Sequence, residues 1–246
     1  TEFTVDISDR AYFGTKPNVI SVRVDADAFE GWWYEGAGIY RHVNLIVKEP
    51  LHIAHNGIFA KPSHEGGGRW KISAAAEVEN SAYENSEFEL VNAIVYDRKE
   101  ICSQKSSDFI AGDSVKTLEQ ELFLQDPLLW DLDTPNLYTL ESRLYVNGKL
   151  ADLVKTDFGC RTIKFDAEKG FFLNGKNVKI KGTCNHQDHA GVGVAVPDSI
   201  QEYRIRRLKE MGCNAYRCSH GNQAKEILDA CDRYGMLVLD ENRNFE

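Results

Sequence analysis

Near residue 166 the hydrophobic rhythm of this chain changes, and neither one sheet nor one helical bundle can satisfy both parts. Before it, apolar residues tend to recur at every second position in short runs. Val19-Ile20-Ser21-Val22-Arg23-Val24 reads as a strand, and Tyr40-Arg41-His42-Val43-Asn44-Leu45-Ile46-Val47 alternates as a sandwich strand does. Further strands are expected over residues 70–78, 88–96, 116–124, 138–146 and 155–164. Turn signals separate them, among them Glu65-Gly66-Gly67-Gly68 and the two-residue hairpin signal Asn147-Gly148. Short strands at near-regular spacing over about 110 residues argue for an immunoglobulin-like sandwich. Pro127-Leu128-Leu129-Trp130, followed by Pro135-Asn136-Leu137-Tyr138, reads as a stiff connection with Trp130 packed beneath it. No catalytic constellation falls in this stretch, which reads as a spacer.

Beyond residue 166, Phe171-Phe172-Leu173 and the turn Asn174-Gly175-Lys176 lead into a strand expected over 178–182. A helix is expected over 198–211, capped by Asp198 or Ser199, with Ile200, Tyr203, Ile205 and Leu208 as its apolar stripe. A strand over 213–218, a helix over 223–234 with Ile227, Leu228 and Cys231 inward, and a strand over 236–239 complete the pattern. Gly212 and Gly235 stand where helix C-caps belong. Short-linked strand–helix–strand–helix–strand predicts parallel βαβ units. Three strands do not close a barrel, so this part reads as incomplete.

In a βα barrel the functional side chains gather at the C-terminal ends of the strands. The three ends here are Thr183-Cys184-Asn185-His186-Gln187-Asp188-His189, Arg217-Cys218-Ser219-His220 and Asp240-Glu241-Asn242-Arg243, all polar and ionisable. Each group carries a plainer alternative. His186, Asp188 and His189 match no strong metal-ligand spacing, and they can also serve to cap the strand and satisfy loop backbone. Arg217 is either a structural ion-pair partner or a cation that keeps a catalytic carboxylate ionised. Adjacent strand residues point oppositely, which argues against a Ser219–His220 or Cys218–His220 nucleophile pair. By the same rule Asp240 and Glu241 read as supporting groups rather than an acid–base pair. Gly31-Trp32-Trp33-Tyr34-Glu35-Gly36 offers either a stacking platform for sugar C–H faces or a plug for the end of a sandwich.

A net charge of -9 gives the chain no electrostatic reason to seek nucleic acid or anionic lipid. No apolar run approaches the roughly 20 residues that span a bilayer. A neutral or weakly charged small molecule is the natural partner, a description that carbohydrate fits. None of the six cysteines forms a C-x-x-C pair, and all read as reduced, half-buried small hydrophobes. No export signal is legible, and the location stays open between cytoplasmic and exported.

These motifs carry a resemblance to glycoside hydrolase family 2, the family of β-galactosidases, β-glucuronidases and β-mannosidases. Trp33-Tyr34-Glu35-Gly36-Ala37-Gly38-Ile39-Tyr40-Arg41 resembles the stretch closing that family's N-terminal jelly-roll domain. Pro127 through Tyr138, then Phe158-Gly159-Cys160-Arg161, resembles the end of its immunoglobulin-like domain. Phe172-Leu173-Asn174-Gly175-Lys176, Lys181-Gly182 through His189, Asn214-Ala215-Tyr216-Arg217-Cys218-Ser219-His220, and Cys231-Asp232-Arg233-Tyr234-Gly235 through Glu241 are similar to its catalytic barrel. The resemblance implies a multidomain fold: the end of a jelly-roll β-sandwich over 1–50, an immunoglobulin-like β-sandwich over 51–165, and the first βα units of a TIM (β/α)8 barrel over 166–246. It also implies a retaining mechanism on a β-glycoside or oligosaccharide, with β-galactosidase the favoured activity and β-glucuronidase the rival. His186 and His220 would bind sugar hydroxyls, Asp188 would stand at the pocket wall, and Arg217 would support the nucleophile. Both catalytic glutamates are expected beyond Glu246, on a truncated chain. Two departures stand out. Gly221-Asn222-Gln223-Ala224 replaces the family's proline-containing turn, and Asn242-Arg243-Asn244 differs from the usual continuation, so no magnesium ligands are carried over and no cofactor is assigned. A non-catalytic carbohydrate-binding or spacer protein is the reading from another class, and oligomerisation is left open.

Overall fold

A computed structural model of the chain describes residues 2–25, 27 and 38–241. The aromatic run of Trp32, Trp33 and Tyr34, and residues 242–246, lie outside the described residues. The chain divides into two compact units, residues 1–42 and 43–246.

In the first unit a turn closes where the Arg10 and Ala11 amides donate to the Ile7 carbonyl, and Asn18 brackets Tyr12 with two hydrogen bonds. The strand expected at residues 19–24 does not form, and Val19 and Ile20 are 84% and 71% exposed. Residues 40–47 are likewise not a strand, with Val43, Leu45 and Val47 exposed. Alternation makes a strand only where a neighbouring edge supplies ladder hydrogen bonds and a core covers the apolar face. Neither run has such a neighbour among the described residues.

The second unit begins its ordered structure with a seven-stranded antiparallel sandwich. Strands β1 (Leu51–Gly66), β2 (Arg69–Asn80) and β5 (Ser114–Gln125) make one sheet in the order β1-β2-β5. Strands β3 (Ser86–Tyr96), β4 (Lys99–Ile110), β6 (Tyr138–Val146) and β7 (Lys149–Phe158) make the other, in the order β4-β3-β6-β7. Inward positions alternate along each central strand, as in Trp70, Ile72, Ala74, Ala76 and Val78 of β2. Polar residues interrupt the core at mid-height. Ser142 Oγ donates to Asn92 Oδ1 at 2.5 Å, and Gln120 Nε2 donates to Ser106 Oγ at 2.6 Å and to the Leu90 carbonyl at 3.3 Å. Asn147 and Gly148 adopt φ of 50° and 73°, the left-handed pair that a tight β6–β7 hairpin demands.

Strands β1 and β4 were not expected as strands. Both lie at sheet edges. Pro62 and the Asn56–Gly57 irregularity make β1 read as a loop, and β4 is polar at eight of its twelve positions, yet edges tolerate proline, bulges and charge. The strand expected over 155–164 divides into the end of β7 and a new strand, β8 (Ile163–Asp166). It pairs antiparallel with β9 (Gly170–Leu173), which pairs with β10 (Lys176–Asn177).

The parallel part comprises β11 (Gly182–Asn185), α1 (Asp198–Glu210), β12 (Ala215–Cys218), α2 (Lys225–Tyr234) and β13 (Leu237–Leu239), with the sheet ordered β11-β12-β13. The first of these strands starts at Gly182 rather than 178. Pro197 occupies the N-cap of α1 without a side-chain cap, and Asp198 sits in the first turn. Of the expected stripe, Ile205 is buried and Leu208 packs against the same cluster, whereas Tyr203 is exposed under the Arg207 guanidinium and Gln201 is buried in addition. Gly235 caps α2 at φ 69°, and a Cβ there would stand 2.2 Å from the Leu132 carbonyl oxygen. No helix of the described residues is long and apolar enough to cross a membrane.

The sandwich and the parallel sheet meet at Trp130, which is 2% exposed. Its ring packs with Phe171, Leu173, Ala215 and Leu237, the last two lying at the N-terminal ends of β12 and β13. Its indole N–H donates to the Asp232 carbonyl at 2.8 Å, and Arg161 lies 4.7 Å over the ring. Gly159 lets the backbone approach, since a Cβ there would fall 2.7 Å from Trp130 Cβ. Gly159→Ala is therefore expected to cost about 1–3 kcal/mol by overpacking, read as a lower urea midpoint with unchanged slope.

Candidate active site

Parallel register aligns Cys184 of β11, Arg217 of β12 and Leu239 of β13 across the sheet. Side chains two residues apart on an extended chain share a face. Glu241, two beyond Leu239, thus comes back to the face of Arg217, whereas Asp240 turns away. The Arg217 guanidinium becomes the hub. Nη2 donates to Glu241 Oε2 at 2.5 Å, and Nη1 donates to Ser219 Oγ at 3.1 Å and Cys184 Sγ at 3.3 Å.

His220 completes the cluster from the loop after β12. Its Nδ1 contacts Glu241 Oε1 and lies 3.4 Å from Arg217 Nη2. An ionised carboxylate only accepts, so this contact favours the tautomer with the proton on Nδ1 and leaves Nε2 as an acceptor in the neutral ring. His186, at the exit of β11, meets His220 edge-on with ring centroids 5.9 Å apart. The hydrogen bond from His220, reinforced by the Arg217 charge, holds the Glu241 carboxyl below its ordinary range. The same guanidinium lowers the Cys184 thiol and is itself raised by its partners.

Of the six residues singled out in the sequence, four converge here: Arg217, His220, Glu241 and His186. Asp188 is tied in by its main chain, its carbonyl accepting from Arg204. Asp240 faces Cys218, whose thiol is pushed up to about 12 by burial with Asp240 beside it. The divergence of Asp240 from Glu241 follows the strand rule, but the spacing alone did not reveal which of the two joins the hub. Cys184 was read as a half-buried hydrophobe and is exposed. Its signal was present in the pairing with Arg217, which only the register makes visible. Ser219 and Arg204 likewise emerge only in three dimensions.

The sequence comparisons agree in order with this architecture. Two family models match the chain, glycosyl hydrolases family 2 over residues 51–161 and the family 2 TIM barrel domain over 165–245. The chain is 38% identical over 228 residues to a β-galactosidase of Bacteroides ovatus, spanning 92% of this chain and 27% of that protein. It is 34% identical over 241 residues to a putative β-glucuronidase of Formosa agariphila, spanning 97% of this chain and 22% of that protein. A solved glycosyl hydrolase family 2 member from Bacteroides cellulosilyticus superposes with a TM-score of 0.81 at 33% identity, over 86% of this chain and 28% of that one. The chain thus spans about a quarter of the length of these relatives. The fold is multidomain, an immunoglobulin-like sandwich followed by the first βα units of a TIM barrel.

Two outcomes follow from the electrostatics. Cys184, exposed and beside a cation, is expected to be the first thiol alkylated by iodoacetamide, while Cys160 and Cys218, both pushed up to about 12, react only on unfolding. Peptide mapping reads the order, and Arg217→Met should slow Cys184 labelling. Glu241 has a folded value below its ordinary 4.5, so its contribution is present above that pH and is lost as pH falls through the folded value. Acid titration followed by the His220 ring resonances should show the cluster opening below the ordinary carboxylate range. In Glu241→Gln that transition should vanish.

Proposed function

Because the chain belongs to glycosyl hydrolase family 2, we propose that it is part of a retaining β-glycosidase that hydrolyses terminal β-linked sugars, with β-galactosides as substrate. On this reading residues 1–50 close a jelly-roll domain, 51–165 form the immunoglobulin-like domain and 166–246 open the catalytic barrel. The observation that carries it is the Arg217–Glu241–His220 cluster at the C-terminal strand ends with His186 beside it, on the face where such barrels place their chemistry. His186 and His220 present ring nitrogens to sugar hydroxyls, and Asp188 lines the pocket wall. Arg217 supplies positive charge that keeps a nucleophilic carboxylate ionised. Glu241 orients Arg217 and His220 and neutralises part of the cation, which is a supporting role rather than an acid–base one. Asp240 supports the strand end from the opposite face.

A β-glucuronidase is the second reading, favoured by the name of the Formosa relative. A purely carbohydrate-binding protein draws its support from the Trp32–Tyr34 run, and the ionic strand-end cluster argues instead for chemistry.

Retaining hydrolysis needs two carboxyl groups about 5–5.5 Å apart, one neutral and one ionised. Glu241 is engaged by Arg217 and His220, and Asp240 diverges from it. Residues 1–246 alone are therefore expected to release no nitrophenol from aryl β-galactosides or β-glucuronides. A longer protein closing the barrel around them should turn over the galactoside, and preference for the glucuronide would decide for the second reading. Turnover by residues 1–246 comparable to the longer protein would place the reacting carboxylates within this chain and sink the assignment.

A further inference from the structure

The loop between β11 and α1 carries His186 and Asp188 but spans residues 186–197 with little structure of its own. Its internal ties include a small bridge between His189 and Gly193 and the Val192 amide donating to the His189 carbonyl. At its start, the Asn185 carbonyl accepts from the Ser219 amide at 3.0 Å and from Gln223 Nε2 at 3.5 Å. The next carbonyls along the chain are taken by one side chain. Arg204 of α1 donates from Nη1 to the His186 carbonyl at 2.9 Å and from Nη2 to the Asp188 carbonyl. Nη1 also lies 3.5 Å from the hydroxyl of Tyr216, which is buried in the cluster between sheet and helices and in turn donates to Gln223 Oε1 at 3.4 Å.

We propose that Arg204 is a positioning residue of this site: its two-pronged grip on the carbonyls of His186 and Asp188 sets where His186 stands against His220. The inference rests on the reading that His186 touches the sugar. Four observations carry it. The guanidinium is a planar fork whose two terminal nitrogens meet two separate acceptors from fixed directions, whereas an ammonium donates from a single nitrogen. The two carbonyls flank Gln187, so gripping both fixes the direction of the chain as it leaves β11. The helix does not need Arg204 for its core contact, because its buried residues are Gln201 and Ile205. And the neighbouring Arg207 is otherwise occupied, stacked on Tyr203 and paired with Glu210, so the inward reach belongs to Arg204.

The chemistry of the loss is also specific. Arg204→Met keeps an unbranched stem but leaves both carbonyls to water, while Arg204→Lys keeps the charge but donates from a single nitrogen, without the fixed spread of the fork. A loop freed in this way weakens ground-state and transition-state contacts of His186 alike, which raises KM and leaves kcat nearly unchanged.

The test is made on the longer protein that carries these residues in a closed barrel, comparing the parent with Arg204→Met and Arg204→Lys. Amide hydrogen exchange of residues 186–193 should accelerate about 10-fold in the Met variant, with α2 exchange and the urea midpoint unmoved. KM for the aryl glycoside should rise about 10-fold with kcat within about 2-fold, and the Lys variant should fall between. Unchanged exchange in 186–193 would overturn the grip. Faster exchange with unchanged KM would reduce Arg204 to a structural residue and equally overturn the inference. If the parent turns over neither glycoside, the assigned activity fails, and faster exchange confined to this loop still upholds the grip on its own terms.

Discussion

Trp130 stands where sandwich, small antiparallel sheet and parallel sheet meet, and the other features depend on its being immobile. Three separate segments hold it, two through backbone carbonyls and one through a side-chain amide. Its amide donates to the Cys160 carbonyl, its carbonyl accepts from Asn174 Nδ2, and its indole N–H reaches Asp232 at the end of α2. The indole hydrogen bond contributes about 1 kcal/mol net, whereas truncating a buried tryptophan costs about 3–5 kcal/mol. Packing therefore dominates, and the polar contacts choose the orientation in which the ring packs. Lys209 adds a second tie by donating to the carbonyls of Leu132 and Gly235, so α1, α2 and the connection after β5 are bound at one level.

That level lies at the N-terminal ends of the parallel strands. Ala215 and Leu237 open β12 and β13 against Trp130, and the same strands run out, only a few residues later, at Arg217 and toward Glu241. Stability is concentrated at one end of the short sheet and ionisable groups at the other. The division is physical rather than incidental. An apolar plug excludes water where the sheet is anchored, while the opposite end stays polar enough to hold an arginine, a histidine and a carboxylate in contact. Partly exposed ion pairs of this kind add little to folding stability. Their value is geometric, in fixing rotamers and the tautomer of His220 relative to a rigid floor.

Much of the sandwich was legible because its central strands obey a period of two with buried residues at every second site. β6 falls on residues 138–146 as read, and the Asn147-Gly148 turn takes the left-handed conformation its residues favour. Two of the four edges, β1 and β4, were not legible. β1 and β4 owe their strand form to partners β2 and β3, not to their own polar or proline-containing sequence. The converse failure lies at residues 19–24 and 40–47, where good alternation meets no partner among the described residues. At the candidate site, strand-end residues could be named from the chain, since βα units concentrate polar groups there. What spacing withheld was the cross-strand register. Cys184 reads as an ordinary small hydrophobe until it is seen opposite Arg217, and nothing in the spacing singles out Arg204, whose acceptors are main-chain carbonyls of a distant loop.

The register also explains why one arginine can serve so many acceptors. Cys184 and Arg217 are paired residues of parallel strands, and Ser219 and Glu241 are each two residues beyond a position in that same row. Cys184, Ser219 and Glu241 therefore rise from the same face as Arg217 within reach of its guanidinium, the first two on Nη1 and the third on Nη2. A lysine at 217 could neutralise Glu241 but would donate from a single nitrogen, without the fork that spreads donors toward thiol, hydroxyl and carboxylate. Shifting β12 by one residue would instead place Tyr216 or Cys218 in the row and bury the charge among Ile205, Ile227 and Met236. The cost of burying that charge fixes the register, and the fixed register delivers Arg217 to Glu241 and His220.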